Sequence, residues 1–161
     1  MDSQVKTVSF FRFEDLRIYH KSLDYFNWIV QQSGSVSERD FNLVIKPLAD
    51  AAAGVSKSIA EGSARHKAQF VQFLKNAKSS VRSCVVYSTL ALKCGAFTQE
   101  QYDKSNETLV EMTKMIGAMI VSLQRNAERK HTEDNSKGLD DMPDFGEEST
   151  DNETDLSKLY F

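Results

Sequence analysis

Residues 67–94 read KAQFVQFLKNAKSSVRSCVVYSTLALKC. The run holds no proline and no glycine, and Gly95 follows it at once, so nothing inside it interrupts a helix. Phe70, Phe73, Leu74, Ala77, Val81, Cys84, Ala91 and Leu92 recur at spacings that place them on one side, which predicts a single long helix. At about 100° per residue, with Lys67 at zero, this apolar set clusters between about 240° and 340°. Lys78, Arg82, Lys75 and Lys93 fall between about 20° and 80° on the same wheel. One side is therefore expected to be buried and a row of cations to face water. At about 1.5 Å per residue the row is roughly 40 Å long, and its apolar side needs other helices to cover it.

The flanking sequence supplies them. Leu16, Tyr19, Leu23, Phe26 and Val30 predict a first helix over about 14–32 with this set as its buried stripe, stopped by Ser33-Gly34-Ser35. Ser37 with Asp40 resembles a capping arrangement, after which Phe41, Val44, Leu48, Ala52, Val55, Ile59 and Gly62 predict a second helix over about 38–62. Pro47 lies inside it, removes a backbone donor and clashes with the preceding turn, so a kink or a broken first segment is expected. The small residues Ala51 to Gly54 would let a neighbour approach closely, and Gly62 is expected to supply a left-handed C-terminal cap. Thr98 with Gln101 is a second capping-box candidate, followed by Tyr102, Leu109, Met112, Ile116, Met119, Ile120 and Leu123 in a fourth helix ending near Ala127. Short turns between four helices predict an all-α, antiparallel up-down-up-down four-helix bundle over residues 13–127, preceded by a lead-in over 1–12.

From Glu128 the composition turns to Asp, Glu, Ser, Thr, Asn and Gly. Such a segment buries too little to offset the entropy of ordering, so 128–161 is expected to be a disordered acidic tail. Its last apolar residues, Leu156, Leu159, Tyr160 and Phe161, are either a short docking motif or incidental. The net charge of −3 conceals this division: residues 1–127 carry 16 Lys and Arg against 12 Asp and Glu, or +4, and residues 128–161 carry 4 against 11, or −7. A basic body with an acidic appendage suggests contact with a polyanion, contacts made by the tail, or both.

Catalytic and metal-binding signals are missing. His20, His66 and His131 lie in different segments, and none has a Cys, His, Asp or Glu at ligand spacing. Phosphate-cradling glycine loops, a nucleophile elbow and paired carboxylates are also absent, so no catalytic residue, metal site or cofactor is assigned and an enzyme is not expected. Cys84 and Cys94 fall in one helix about 15 Å apart by rise, too far for a disulfide, and are expected to be reduced, buried thiols. No run approaches the roughly 20 apolar residues of a membrane span, and no basic-then-apolar leader is seen, so the expected location is the cytoplasm.

The strongest functional signal is a window without carboxylates. Between Glu61 and Glu100 there is no Asp or Glu, while Arg65, Lys67, Lys75, Lys78, Arg82 and Lys93 all fall there. These six are the candidate nucleic-acid-binding residues. Lysines without aromatic platforms would hold the phosphate backbone and leave base sequence unread. An acidic surface on a partner protein, the chain's own tail, or plain solvation are the competing uses of such a face.

Phe13-Glu14-Asp15-Leu16-Arg17-Ile18-Tyr19, Ser58-Ile59-Ala60-Glu61-Gly62-Ser63-Ala64-Arg65 and Phe70-Val71-Gln72-Phe73-Leu74-Lys75-Asn76-Ala77 resemble the four-helix-bundle proteins encoded within 23S ribosomal RNA intervening sequences. The resemblance covers about residues 13 to 125. Ser58 stands where that family usually has Asn, Ser79 where Gly is common, Ser83 where Glu is typical, and Pro47 interrupts a stretch that is usually continuous. The resemblance implies ring-forming homo-oligomers, often pentamers. It also implies kinship with accessory proteins of diversity-generating retroelements, which bind nucleic acid and a reverse transcriptase. Glu61 and Arg65 flank a helix-helix turn, where a local salt bridge or cap is the expected role. The leading expectation is a non-catalytic, homo-oligomeric binder of RNA or DNA. The alternative is an adaptor or accessory subunit of a reverse transcriptase or other polymerase.

Overall fold

A computed structural model describes residues 10–136, with side chains described through residue 126. A 3-10 turn, Arg12–Asp15, leads into α1, Arg17–Gln32. One helical turn, Glu38–Asp40, and a π turn, Phe41–Ile45, precede α2, Lys46–Ser63. Helices α3, Lys67–Lys93, and α4, Gln99–Ser136, complete the described residues, which include no strand. Helix α2 packs along α3 and α3 along α4, while α1 lies against both α2 and α4, so the four helices close around one core.

The local signals act as their chemistry requires. The Asp40 amide donates to Ser37 Oγ at 3.1 Å, capping the segment that leads to α2. Thr98 and Gln101 form a reciprocal box: the Thr98 amide donates to Gln101 Oε1 at 2.8 Å and the Gln101 amide to Thr98 Oγ1 at 3.2 Å. The break expected around Pro47 takes the form of the π turn: the backbone stays helical from Asp40 through Lys46, and the wider turn just before the proline accommodates its missing N–H without ending the helical path. Gly95 ends α3 with a φ of 81°.

Gly62 has a different role from the one expected. It lies within α2, and Gly95 is the described glycine with positive φ. A Cβ at position 62 would fall 2.5 Å from Phe73 Cβ and 2.7 Å from Phe70 Cδ2, so the glycine is needed for the close approach of α3. Gly54 does the same farther up, where a Cβ would lie 2.9 Å from Ser80 Oγ.

The core contains Leu48, Ala52, Val55 and Ile59 of α2, Leu74, Ala77, Val81, Cys84 and Ala91 of α3, and Leu109, Met112 and Ile116 of α4. Helix α1 departs from expectation. It buries Ile18, Ser22, Tyr25 and Ile29, and leaves Leu23, Phe26 and Val30 exposed at 40%, 36% and 49%. Hydroxyl pairing explains the choice of stripe: Tyr25 Oη lies 2.7 Å from Ser105 Oγ and 3.4 Å from Ser88 Oγ, those two serines are 2.6 Å apart, and Ser22 pairs with Ser56 at 2.9 Å. Once so paired, these polar groups can be buried with little penalty. Desolvation pushes the Tyr25 phenol up to about 12, and likewise the Cys84 thiol to about 12. Cys94, expected inside, is exposed.

Helix α4 continues to Ser136, nine residues beyond the expected end at Ala127. The rest of the expected disordered tail, with Leu156, Leu159, Tyr160 and Phe161, and most of the lead-in lie outside the described residues.

Because Gly62 faces side-chain carbon at the Phe73 Cβ, Gly62→Ala is expected to destabilise the fold by about 1–3 kcal/mol despite alanine's better helix propensity. Gly34→Ala, with nothing within 4 Å of a new Cβ, should fall within about 0.5 kcal/mol of the parent in urea unfolding.

Candidate nucleic-acid interface

The six cations expected to meet phosphate lie along α3 and the turn before it. Arg65 is in that turn, exposed, its amide donating to the Gly62 carbonyl at 3.0 Å. Lys67 opens α3, just after His66, whose Nδ1 accepts the Gln69 amide at 3.4 Å as the N-terminal cap. Lys67, Lys75, Arg82 and Lys93 are exposed, and Lys78 is half-buried. The packing of Phe70 and Phe73 against Gly62 and the burial of Leu74, Ala77 and Val81 turn the inner face of α3 to the core. The cationic side is thereby left at the surface.

Among the described residues none of the six lies within 4.0 Å of a carboxylate. Cations elsewhere do pair: Lys21 bonds Glu111, and Arg17 reaches the same carboxylate at 3.9 Å. The Lys21 hydrogen bond, with the charges of Lys21, Arg17 and Lys104, holds the Glu111 carboxyl below its ordinary range. The helices can thus neutralise a cation where an acid is available, and α3 offers none across its own length. Glu61 and Arg65 form no ion pair with each other among the described residues, so of the two roles expected there, a local salt bridge or a cap, the salt bridge is not seen. The turn is held instead by the Arg65 amide.

The row is not uniform. Between Arg82 and Lys93 the exposed residues include Val85, Val86 and Leu90. The cations therefore group as Arg65 to Arg82, with the α3 members spread over about 22 Å by helical rise, and Lys93 about 16 Å beyond. The sequence wheel showed the direction of each charge and took no account of apolar residues on the outward side. It also gave no role to Arg12, which the 3-10 turn brings to the same open pocket as Arg65, with Phe10, Phe11 and Phe13. A 3-10 turn has no 3.6-residue period to detect.

Among the described residues no group of three or more His, Cys, Asp or Glu is placed to hold a metal ion. No described helix is long and apolar enough to cross a membrane.

Fold and surface together define a helical bundle whose longest fully described helix shows a cationic face free of carboxylates. The chain belongs to the 23S rRNA-intervening sequence protein family, whose model matches residues 14–118. A crystal structure of a protein with unknown function from the S23 ribosomal protein family of Bacteroides thetaiotaomicron VPI-5482 is similar in fold, with a TM-score of 0.58 at 22% identity, over 64% of this chain and 97% of that one. No curated protein matches the chain.

Since none of these cations stabilises the fold through an ion pair, the double variant Lys75→Ala, Arg82→Ala should unfold within about 0.5 kcal/mol of the parent. Chemical denaturation in low salt checks this, and any loss of binding in the same variant is then a surface effect.

Proposed function

We propose that the protein is a non-catalytic, homo-oligomeric nucleic-acid-binding bundle that holds the phosphates of RNA or DNA through Arg65, Lys67, Lys75, Lys78, Arg82 and Lys93. The observation that carries this reading is that six cations share a window without carboxylates and none is neutralised by another part of the described chain. Exposed cations repel one another, and a row of phosphates relieves that repulsion with release of counterions. The reading includes alternation of helix direction around the bundle, supported by the short turns after α2 and α3, and a cytoplasmic location.

Self-association rests on a separate feature. Leu23, Phe26 and Val30 form an apolar stripe on the outside of α1, spaced as one helix face. A water-facing stripe of this kind is characteristic of a contact surface. A ring, with five copies as the resemblance implies, would cover it with a different surface of the next copy.

An adaptor role, as an accessory subunit of a reverse transcriptase or other polymerase, is favoured by one observation. Val86 and Leu90 interrupt the cationic row with apolar surface that phosphate would not use. Removal of residues 128–161 separates the readings: a phosphate binder should bind nucleic acid more tightly once the competing −7 is gone, and an adaptor working through its tail should lose its protein partner.

Salt-titrated binding tests the proposal. Affinity is expected to fall steeply and log-linearly with salt, and Lys75→Ala should lower the slope by about one. The mass measured in the same buffer should be a multiple of the 18.2 kDa chain. Binding indifferent to ionic strength would contradict the phosphate reading.

A further inference from the structure

We infer that the pocket between the lead-in and the end of α2 receives an unpaired base of a single-stranded nucleic acid, an inference that rests on the phosphate-binding reading above. The pocket is open, has a volume of about 330 Å³, and is lined among others by Phe10, Phe11, Arg12 and Phe13 from one side and Ala60 and Arg65 from the other. Three properties suit it to a base and not merely to a phosphate.

The first is an aromatic series. Phe13 packs edge-on against Tyr19 at 4.9 Å between centroids, Phe11 stacks on Phe13 at 5.5 Å with 24° between planes, and Phe10 meets Phe11 edge-on at 5.1 Å. The inner end is anchored on α1, and the outer end, Phe10, is 90% exposed. Phe10 touches the series at one edge and leaves its faces open to water, as a stacking platform does, and stacking accepts any base because every base has a π face.

The second is charge. Arg12 and Arg65 are both exposed and, among the described residues, neither pairs with a carboxylate. A guanidinium beside an aromatic ring can hold the phosphate on either side of a stacked base through a forked pair of hydrogen bonds. The third is continuity. Lys67 lies two residues after Arg65, so the cationic row of α3 leads to this pocket. A strand that follows Lys75 and Lys67 toward Arg65 is thereby led to the aromatic side of the same pocket. In a duplex the base faces are covered by their neighbours, so such a pocket discriminates in favour of single strands.

The test uses the full chain, fluorescent oligouridine and oligothymidine of about 20 nucleotides, and a duplex of mixed sequence and equal length, at one salt concentration. Phe10→Ala is expected to weaken single-strand binding about tenfold while changing duplex binding less than about twofold and leaving the salt slope unchanged. Phe10→Trp should restore or strengthen single-strand binding. Lys75→Ala should weaken both substrates and reduce the slope. If Phe10→Ala weakens both substrates equally, or neither, while Lys75→Ala still acts, the base pocket is wrong and the phosphate reading stands. If Phe10→Ala lowers the oligomeric mass, the aromatic end is a contact between copies and the inference is overturned. If the parent binds no nucleic acid, both readings fail together.

Discussion

The close approach of α2 to α3 is the constraint on which the remaining structure depends. At Gly62 the Phe73 Cβ and the Phe70 ring occupy the space that any larger residue would fill, and at Gly54 the Ser80 hydroxyl does so. These two contacts fix the rotation of α3 about its own axis. With that rotation set, Leu74, Ala77, Val81, Cys84 and Ala91 enter the core. The lysines and arginines, on the other side of the wheel, have nowhere to go but the surface. A cationic face on α3 is thus a consequence of helix packing as much as of composition. The Ile59-Ala60-Glu61-Gly62 segment supplies the packing and need not touch a ligand to matter.

A second constraint comes from hydroxyl groups in the interior. Tyr25, Ser88 and Ser105 satisfy one another, and Ser22 pairs with Ser56 across α1 and α2. Each pair is directional, unlike apolar contact, so it selects one rotation of α1 out of those that hydrophobicity would accept. That choice leaves Leu23, Phe26 and Val30 on the outside. Specific burial of a few polar groups therefore leaves an apolar stripe on the outside of α1.

The bundle was legible in the sequence because its signals are local and redundant. Thr98 with Gln101, Ser37 with Asp40, Gly95 and Pro47 each mark a boundary through backbone chemistry that needs no tertiary context. The basic window was equally legible, being a matter of which residues are absent between Glu61 and Glu100. Three features were not. Helix α1 carries two apolar stripes, and a count of apolar residues alone favours Leu23, Phe26 and Val30, since Ser22 is not recognisable as a core residue until Ser56 is seen beside it. The role of Gly62 was misread for a related reason: a cap and a close contact both call for glycine, and the neighbour that distinguishes them is Phe73, eleven residues away in sequence. Phe10 and Arg12 were legible as residues, but their position beside Arg65 depends on the path of a 3-10 turn.

The central claim is that the α3 cations are available to phosphate, and protection from chemical modification reads this directly. Amine acetylation of the full chain, quantified residue by residue by mass spectrometry with and without an RNA of about 20 nucleotides, should show Lys67, Lys75 and Lys78 protected by the RNA. Lys46 and Lys57 on α2 should react as before. Equal reactivity of the α3 lysines in the two samples, or protection confined to lysines on other helices, would contradict the account.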